Sequence, residues 1–378
     1  MKIIHRTLQD NLAEWLFRGK VLILYGARQV GKTTLVKELI RTRKKTSIYL
    51  NCDILSLRQS LEIADPVALK SLIGNSEIAV FDEAQQIHNI GLTLKIIHDS
   101  YPEIQIIATG SSSFDLSNKI NEPLTGRALE FVLYPFSLHE LRQIYPDYQL
   151  QNNLGPFLRF GTYPEMIDKS ESEARLLLDN LTGKYLYKDV FEFETIKRPQ
   201  LIVKLLQMLA LQIGSEVSLN ELSVKLRVSR PTVEHYLDIL EKAFVIYRLY
   251  SFSRNLRSEL TRKFKVYFYD VGIRNSLISN YNSLELRNDS GALWENFFIS
   301  ERIKYMQKEK RTANRYFWRT HSKQEIDYIE ESDGILQAFE CKLNPKSTVK
   351  VPAEFKSSYP NSEYQVVHPG NFWKYMVS

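Results

Sequence analysis

The stretch Gly26-Ala27-Arg28-Gln29-Val30-Gly31-Lys32-Thr33 fills every fixed position of the pattern G-x-x-x-x-G-K-[ST]. Its flanks narrow what the chain can fold into. Val21-Leu22-Ile23-Leu24-Tyr25 reads as a short buried strand, and Thr34 to Ile40 continues with helical spacing. A strand, a glycine turn and a helix N-terminus aim backbone N–H groups at one spot, where the helix dipole adds partial positive charge. Residues Gly26 to Thr34 therefore read as a phosphate cradle. In it Lys32 reaches the terminal phosphates, the Thr33 hydroxyl ligates Mg²⁺, and Gly26 and Gly31 allow a backbone approach that a Cβ would block.

Further along, Ile78-Ala79-Val80-Phe81 forms a third strand ending in Asp82-Glu83, after a second strand at Ser47 to Leu50. An apolar strand that delivers two adjacent acids is a Walker B arrangement, with Asp82 holding Mg²⁺ and Glu83 polarising the attacking water. A fourth strand, Ile104 to Ala108, runs into Thr109-Gly110-Ser111-Ser112-Ser113 at the height of the terminal phosphate. Thr109 or Ser111 senses that phosphate or caps a following helix, and both readings stay open. Arg127 sits just before a fifth strand, Leu129 to Leu133. Asp53, past the second strand, stands where open parallel sheets put ligand contacts, though it reads first as a surface carboxylate. Ahead of the cradle, Leu8, Leu12, Trp15 and Leu16 recur at helical spacing, which predicts a helix lying on the first strand.

The P-loop, the Asp-Glu strand, the polar fourth-strand tip and the arginine before the fifth strand together resemble an AAA+ ATPase. More narrowly, Gly26 to Thr34, Phe81-Asp82-Glu83-Ala84-Gln85, Thr109-Gly110-Ser111-Ser112 and Pro135-Phe136-Ser137-Leu138-His139-Glu140 resemble a prokaryotic ATPase family. In that family an AAA+ core carries a C-terminal domain of uncharacterised function. The resemblance implies ATP as the nucleotide and Mg²⁺ as the cofactor. It also implies that Arg127 acts across a subunit interface as an arginine finger, hence a homo-oligomer. The rival use of Arg127 is a structural salt bridge.

Length bears on the rest, since 378 residues suggest two or three domains. From Pro135 to about Ile213 the pattern is helical, with Leu138, Leu141, Leu150, Leu158, Leu176, Leu177 and Leu181 as core positions of a helical lid. Phe160-Gly161-Thr162-Tyr163-Pro164-Glu165 interrupts it with turn chemistry, and Tyr187-Lys188-Asp189-Val190 resembles another signature of the same family. Leu219, Leu222 and Leu226 mark a short helix, Arg227-Val228-Ser229 a turn, and Pro231-Thr232-Val233 opens a second helix. Apolar-rich Val245 to Tyr250 follows, and the whole reads as a winged helix-turn-helix. As a DNA reader it would present Arg230, Thr232, Glu234 and His235, with Arg254, Arg257, Arg262, Lys263 and Lys265 nearby. Winged helices also bind protein, and the formal charge of +6 permits nucleic acid without requiring it.

The last stretch predicts a helix over Gly291 to Met306 and strands at Tyr316–Arg319, Glu325–Ile329 and Leu336–Lys342. A helix near Ala353 to Ser358 and a strand at Tyr364–Val367 complete the αβββαβ order. Asp327 and Glu340-Cys341-Lys342 resemble the PD-(D/E)xK nuclease core, with Glu295 in the place of its helical acid. On a strand Glu340 and Lys342 share a face, so two acids and a lysine can meet around Mg²⁺. The expected architecture is therefore multidomain α/β. It comprises an AAA+ P-loop core with a parallel sheet (1–134), a helical lid (135–213), a winged helix-turn-helix (214–256) and a restriction-endonuclease-like domain (257–378).

The expected function is Mg²⁺-dependent ATP hydrolysis driving a switch on nucleic acid, with DNA bound through the winged helix and the C-terminal domain. The alternative is a nucleotide-gated protein-interaction scaffold whose nuclease-like domain is inactive. Cys52 and Cys341 match no metal spacing or disulfide framework. Met1 to Arg6 lacks a signal-peptide core, and no apolar run approaches membrane-spanning length. A cytoplasmic protein with no membrane partner is the expectation.

Overall fold

The computed structural model describes residues 3–63, 65–111, 123–186, 198–252, 263–320, 322, 324–346 and 349–376. They form two compact units. The first takes the described chain up to Pro135 with Lys242–Phe244, and the second takes the rest from Phe136 onward. Ser112, Ser113, the stretch Tyr187 to Val190, Arg254, Arg257 and Arg262 lie outside the described residues.

The first unit runs α1 (Thr7–Trp15), β1 (Val21–Tyr25), α2 (Lys32–Arg41), β2 (Ser47–Asn51), α3 (Leu55–Glu62), α4 (Pro66–Ile73), β3 (Ile78–Asp82), α5 (Ile90–Ser100), β4 (Gln105–Gly110) and β5 (Ala128–Val132). The five strands are all parallel, in the order β2-β3-β4-β1-β5. β1, β3 and β4 are buried along their whole length, as strands covered on both faces must be. Local chemistry sets the helix ends. For α4, the Asp65 carboxylate accepts from Ala68 N at 2.7 Å, Pro66 takes the first turn, and Gly74 closes the helix. Because the chain leaves β1 for the far strand β2, works back to β4 and then crosses to β5, the carboxyl end of β1 lies where open parallel sheets bind ligands. The expected stripe on α1 holds only in part. Leu8 and Leu12 are buried, but Trp15 is exposed beneath the Arg18 guanidinium, and the helix packs against α2.

The second unit begins with α6 (Leu138–Leu141), α7 (Asp147–Asn152), α8 (Leu154–Phe160), α9 (Glu171–Asn180), α10 (Pro199–Leu211), α11 (Leu219–Leu226) and α12 (Arg230–Lys242). β6 (Ile246–Ser251), β7 (Phe264–Phe268), α13 (Val271–Leu277), α14 (Ser290–Lys308), β8 (Asn314–Arg319), β9 (Glu325–Ser332), β10 (Ile335–Cys341), α15 (Ala353–Ser358) and β11 (Glu363–Val367) follow. In α9 the buried pair is Ala174 and Leu178, four apart on one face, whereas Leu176 is exposed and Leu177 half-buried. Reading the leucine run as core put the stripe one to two residues out of phase.

The second sheet has the order β11-β10-β9-β8-β6-β7. β6 pairs antiparallel with β7 and parallel with β8, so the boundary expected at 256/257 falls inside one sheet. The strand assigned to the wing, β6, belongs to the C-terminal sheet, and the two segments share a fold. The boundary expected at 134/135 lies one residue from the end of the first unit.

α14 is buried on nearly every side, and its polar groups are matched one by one. The Asn296 amide accepts from Phe268 N at 2.9 Å and donates to Phe268 O at 2.7 Å. Glu301 accepts from Leu138 N at 2.8 Å and pairs with Lys304 at 2.6 Å, while Arg302 forks onto Glu330 at 2.8 and 2.5 Å. Gly161, the turn glycine of the Phe160–Glu165 stretch, has a packing reason. A Cβ there would lie 2.0 Å from Asp270 Oδ1, whose carboxylate takes Thr162 N at 2.8 Å and the first amides of α13.

Candidate nucleotide site and the C-terminal acid cluster

β1 delivers the chain into the cradle through Gly26, whose φ of 153° and lack of a side chain are both needed, since a Cβ would stand 2.4 Å from Leu133 O. Gln29 and Gly31 also have positive φ, which coils the loop before α2 starts at Lys32. Lys32 is buried, and its ammonium donates to Gly26 O at 2.8 Å and Ala27 O at 3.1 Å. Gln29 Oε1 is buried without a hydrogen-bond partner among the described residues. Val30 is fully buried, Ala27 nearly so, Arg28 half-buried and Thr34 exposed.

Asp82, at the end of β3, gathers neutral hydroxyls. Thr33 Oγ1 donates to its Oδ2 at 2.9 Å, Tyr49 Oη donates to the same oxygen, and Thr109 Oγ1 from β4 donates to Oδ1. A buried carboxylate satisfied by hydroxyls can exchange one of them for a cation at modest cost, and a hydroxyl beside a carboxylate is an oxygen donor set suited to Mg²⁺. Burial and then Asp82 raise the Tyr49 phenol well above its usual range, so it stays a neutral donor.

Glu83 has φ 54°, a left-handed conformation that a glutamate seldom adopts. Its amide donates to Thr109 Oγ1 at 3.2 Å, and its carboxylate accepts from Gln85 Nε2 at 2.6 Å. The same Gln85 nitrogen lies 3.1 Å from Ser111 Oγ. Thr33, Asp82, Glu83, Thr109 and Ser111 thus belong to one hydrogen-bonded network at the carboxyl ends of β3 and β4, next to the loop that holds Lys32.

Arg127 is not part of that network. Its carbonyl accepts from Val21 N at 2.9 Å, at the opposite end of β1 from the cradle, a strand of five residues or roughly 16 Å away. Its guanidinium pairs with Asp99 at 2.8 Å on the surface, and that contact, with His98, holds the Asp99 carboxyl below its usual range.

In the second unit, Glu295 of α14, Asp327 of β9 and Glu340 of β10 lie close enough to influence one another. Burial and then Asp327 push Glu295 up to about 8 and Glu340 up to about 7. Each acid has a protein partner. Tyr267 Oη donates to Glu295 Oε1, Lys265 stands 3.3 Å from that same oxygen, Cys341 N donates to Asp327 Oδ2 at 2.8 Å, and Lys342 donates to Glu340 Oε1 at 2.6 Å. Glu340 Oε2 is buried with no hydrogen-bond partner among the described residues. Among those residues no group of three or more His, Cys, Asp or Glu stands where it could hold a metal ion. The expected meeting of Glu295, Asp327 and Glu340 around one ion therefore has no counterpart among the described residues, and Lys265, expected near the wing, stands 3.3 Å from Glu295 Oε1.

Residues 18–142 match a family model described as an AAA domain. Over these residues the chain carries an AAA domain. Residues 152–284 and 290–373 match two further models, each described as a domain of unknown function (DUF8612 and DUF4143). An uncharacterised protein of Mycobacterium tuberculosis is 26% identical over 98% of this chain and 81% of its own length. One of Methanocaldococcus jannaschii is 26% identical over 80% of this chain and 74% of its own. Among solved structures, the Walker-type ATPase PABY2304 of Pyrococcus abyssi is similar in fold. Its TM-score is 0.52 at 19% identity, covering 73% of this chain and 96% of that one. No helix among the described residues is long and apolar enough to cross a membrane.

The AAA domain also uses residues that the sequence did not single out. Arg6 donates to Val30 O at 2.9 Å and to Tyr134 O at 2.6 Å, bracing the loop from a segment with no motif. Tyr49 and Gln85 sit in strand and turn positions that look like packing, although Gln85 stood inside a stretch already set apart by resemblance.

Proposed function

We propose that the chain binds ATP at Gly26–Thr34 and hydrolyses it with Mg²⁺, working as a switch. The hydrogen-bonded line Thr33–Asp82–Thr109, set beside the Lys32 loop, carries this reading. Lys32 and the loop amides hold phosphate, which replaces the carbonyls of Gly26 and Ala27 as partners of the ammonium. Thr33 and Asp82 would hold Mg²⁺, which when bound would supply charge neutralisation at the phosphates. Glu83 acts on the attacking water once Gln85 releases its carboxylate, and Thr109 and Ser111 report the terminal phosphate to that pair. Arg127 lies far from its own cradle, and we assign it to the cradle of a second copy.

The output lies in the second unit. The helices from 135 to 213 act as a lid, α11 and α12 with β6 as a winged helix, and α14-β8-β9-β10-α15-β11 as a nuclease-like αβββαβ scaffold. The winged helix supports action on nucleic acid. One observation favours the second reading, a nucleotide-gated scaffold that binds protein: Arg230 lies 3.6 Å from Glu234, and Arg248 lies 2.5 Å from both Asp238 and Glu241. Cations already paired on and beside α12 have less to offer phosphates.

One experiment tests both levels. Lys32→Ala should lose binding of a fluorescent ATP analogue, while Glu83→Gln should keep binding and lose about 10²–10⁴-fold in hydrolysis. Normal turnover in Glu83→Gln would remove the assigned base. The same variant loaded with ATP should then be titrated with duplex DNA over a range of salt. A steep salt dependence favours the nucleic-acid switch, and indifference to DNA with and without ATP favours the scaffold.

A further inference from the structure

In the C-terminal cluster, the sequence pattern calls for a divalent ion and the geometry supplies a side chain. Lys265, on β7, is 1% exposed, yet its ammonium has a full set of neighbours. It lies 2.5 Å from Glu325 Oε1, 3.3 Å from Glu295 Oε1 and 5.3 Å from the centre of the Phe317 ring. A buried ammonium is retained only where anions surround it, and here they come from α14 and β9. The β6–β7 hairpin that brings it continues the sheet beyond β8, outside the αβββαβ order.

The surrounding charges nearly balance without a metal. Glu216, Glu295, Glu325, Asp327 and Glu340 face Lys263, Lys265, Arg319 and Lys342. Lys263 lies 3.0 Å from Glu216, Arg319 lies 3.7 Å from Glu216 and 3.5 Å from Glu325, and Lys342 lies 2.6 Å from Glu340. One surplus negative charge among nine groups is what a single proton neutralises. A divalent cation added beside Lys265 would meet an ammonium it cannot displace without breaking that lysine's contacts with two acids.

We infer that Lys265, held by Glu295 of α14 and Glu325 of β9, is the resident cation of this nuclease-like centre, so that the wild-type centre takes up no metal. This deepens the scaffold reading of the second unit and is independent of the nucleotide chemistry in the first.

The test uses the full chain carrying Asp82→Asn, which silences the nucleotide-site carboxylate, without nucleotide, and Mn²⁺ as the probe. With Lys265 intact, calorimetric titration and thermal melts should show no Mn²⁺ effect that Asp327→Asn removes. Lys265→Met, close in volume, should bind Mn²⁺ at least about tenfold more tightly than its parent, and Asp327→Asn should abolish the gain. A Mn²⁺ site that depends on Asp327 while Lys265 is present overturns the inference, as does a folded Lys265→Met protein with no gain. If Lys265→Met does not fold, Lys265→Gln, which keeps a hydrogen-bond donor toward Glu295 and Glu325, replaces it and should show the same Asp327-dependent gain in Mn²⁺ binding. A folded Lys265→Gln protein with no gain also overturns the inference.

Discussion

The cradle of the first unit and the acid cluster of the second use the same materials, largely buried carboxylates with a lysine close by, and they differ in where the lysine points. In the cradle Lys32 donates to peptide carbonyls of its own loop, and Asp82 is satisfied by the hydroxyls of Thr33, Tyr49 and Thr109. Neutral hydroxyls and carbonyls release their partners readily when a stronger charge arrives. In the cluster Lys265 is spent on Glu295 and Glu325, so those two acids already share a cation. The first arrangement waits for groups from outside, whereas the second is closed. Side-chain identity alone does not separate them, because the difference lies in the partners of the ammonium.

The largest effect that would break this contrast concerns Arg127. If the cradle is completed from outside by another copy, hydrolysis should rise with protein concentration, and Arg127→Ala should lower turnover by about 10³–10⁵-fold with nucleotide binding kept. Mixing Arg127→Ala with Lys32→Ala protein at fixed total concentration should restore activity, since each contributes what the other lacks. Full activity of Arg127→Ala at both high and low concentration would confine the residue to its surface pair with Asp99.

A smaller effect sharpens the closed side of the comparison. Arg302→Met leaves Glu330 buried, 2% exposed, without the guanidinium that holds both its oxygens. Breaking one side of such a pair costs about 3–5 kcal/mol. Replacing both partners, as Arg302→Met with Glu330→Leu, should recover most of that in a denaturant melt. Equal losses in the single and double variants would mean that packing against Phe339, 5.1 Å from the guanidinium, outweighs charge.

What could be read from sequence follows the same division. The five strands of the first unit were legible because each is a short apolar run ending in turn or polar chemistry, and β1 spans Val21–Tyr25 in both readings. Pattern also gave the order of elements from α14 to β11. It missed β7, whose Phe264-Lys265-Val266-Tyr267-Phe268 alternates a charge into an apolar strand and followed a basic run that drew attention to DNA. In sequence, Lys265 reads as one of several cations near the wing. Only the pairing of β6 with both β7 and β8 turns it inward, and no local pattern encodes that pairing. Arg6 is a similar case, since its two acceptors lie 24 and 128 residues away.

The smallest effect is a pH dependence, and its sign separates a closed cluster from a metal site. Glu295 faces Lys265 and Tyr267 from β7 and Asp327 from β9, with Glu325 sharing Lys265. Burial, then the charge of Asp327, raises its carboxyl from 4.5 to about 8 against the pull of Lys265. A carboxyl whose folded value exceeds its unfolded value holds its proton more tightly when folded. Its contribution to stability is complete below about 4.5 and is lost as pH rises through about 8. Within that window the slope is at most about 1.4 kcal/mol per pH unit, diluted where other groups titrate. Denaturant melts between these limits should therefore weaken with rising pH, and Glu295→Gln, which cannot ionise, should flatten the decline. A bound divalent ion would reverse the expectation: it favours the ionised carboxylate, so stability would climb with pH in the presence of Mn²⁺ and the Glu295→Gln protein would lose that climb. Identical wild-type curves with and without Mn²⁺, both falling, are the outcome expected of a cluster that Lys265 has already closed.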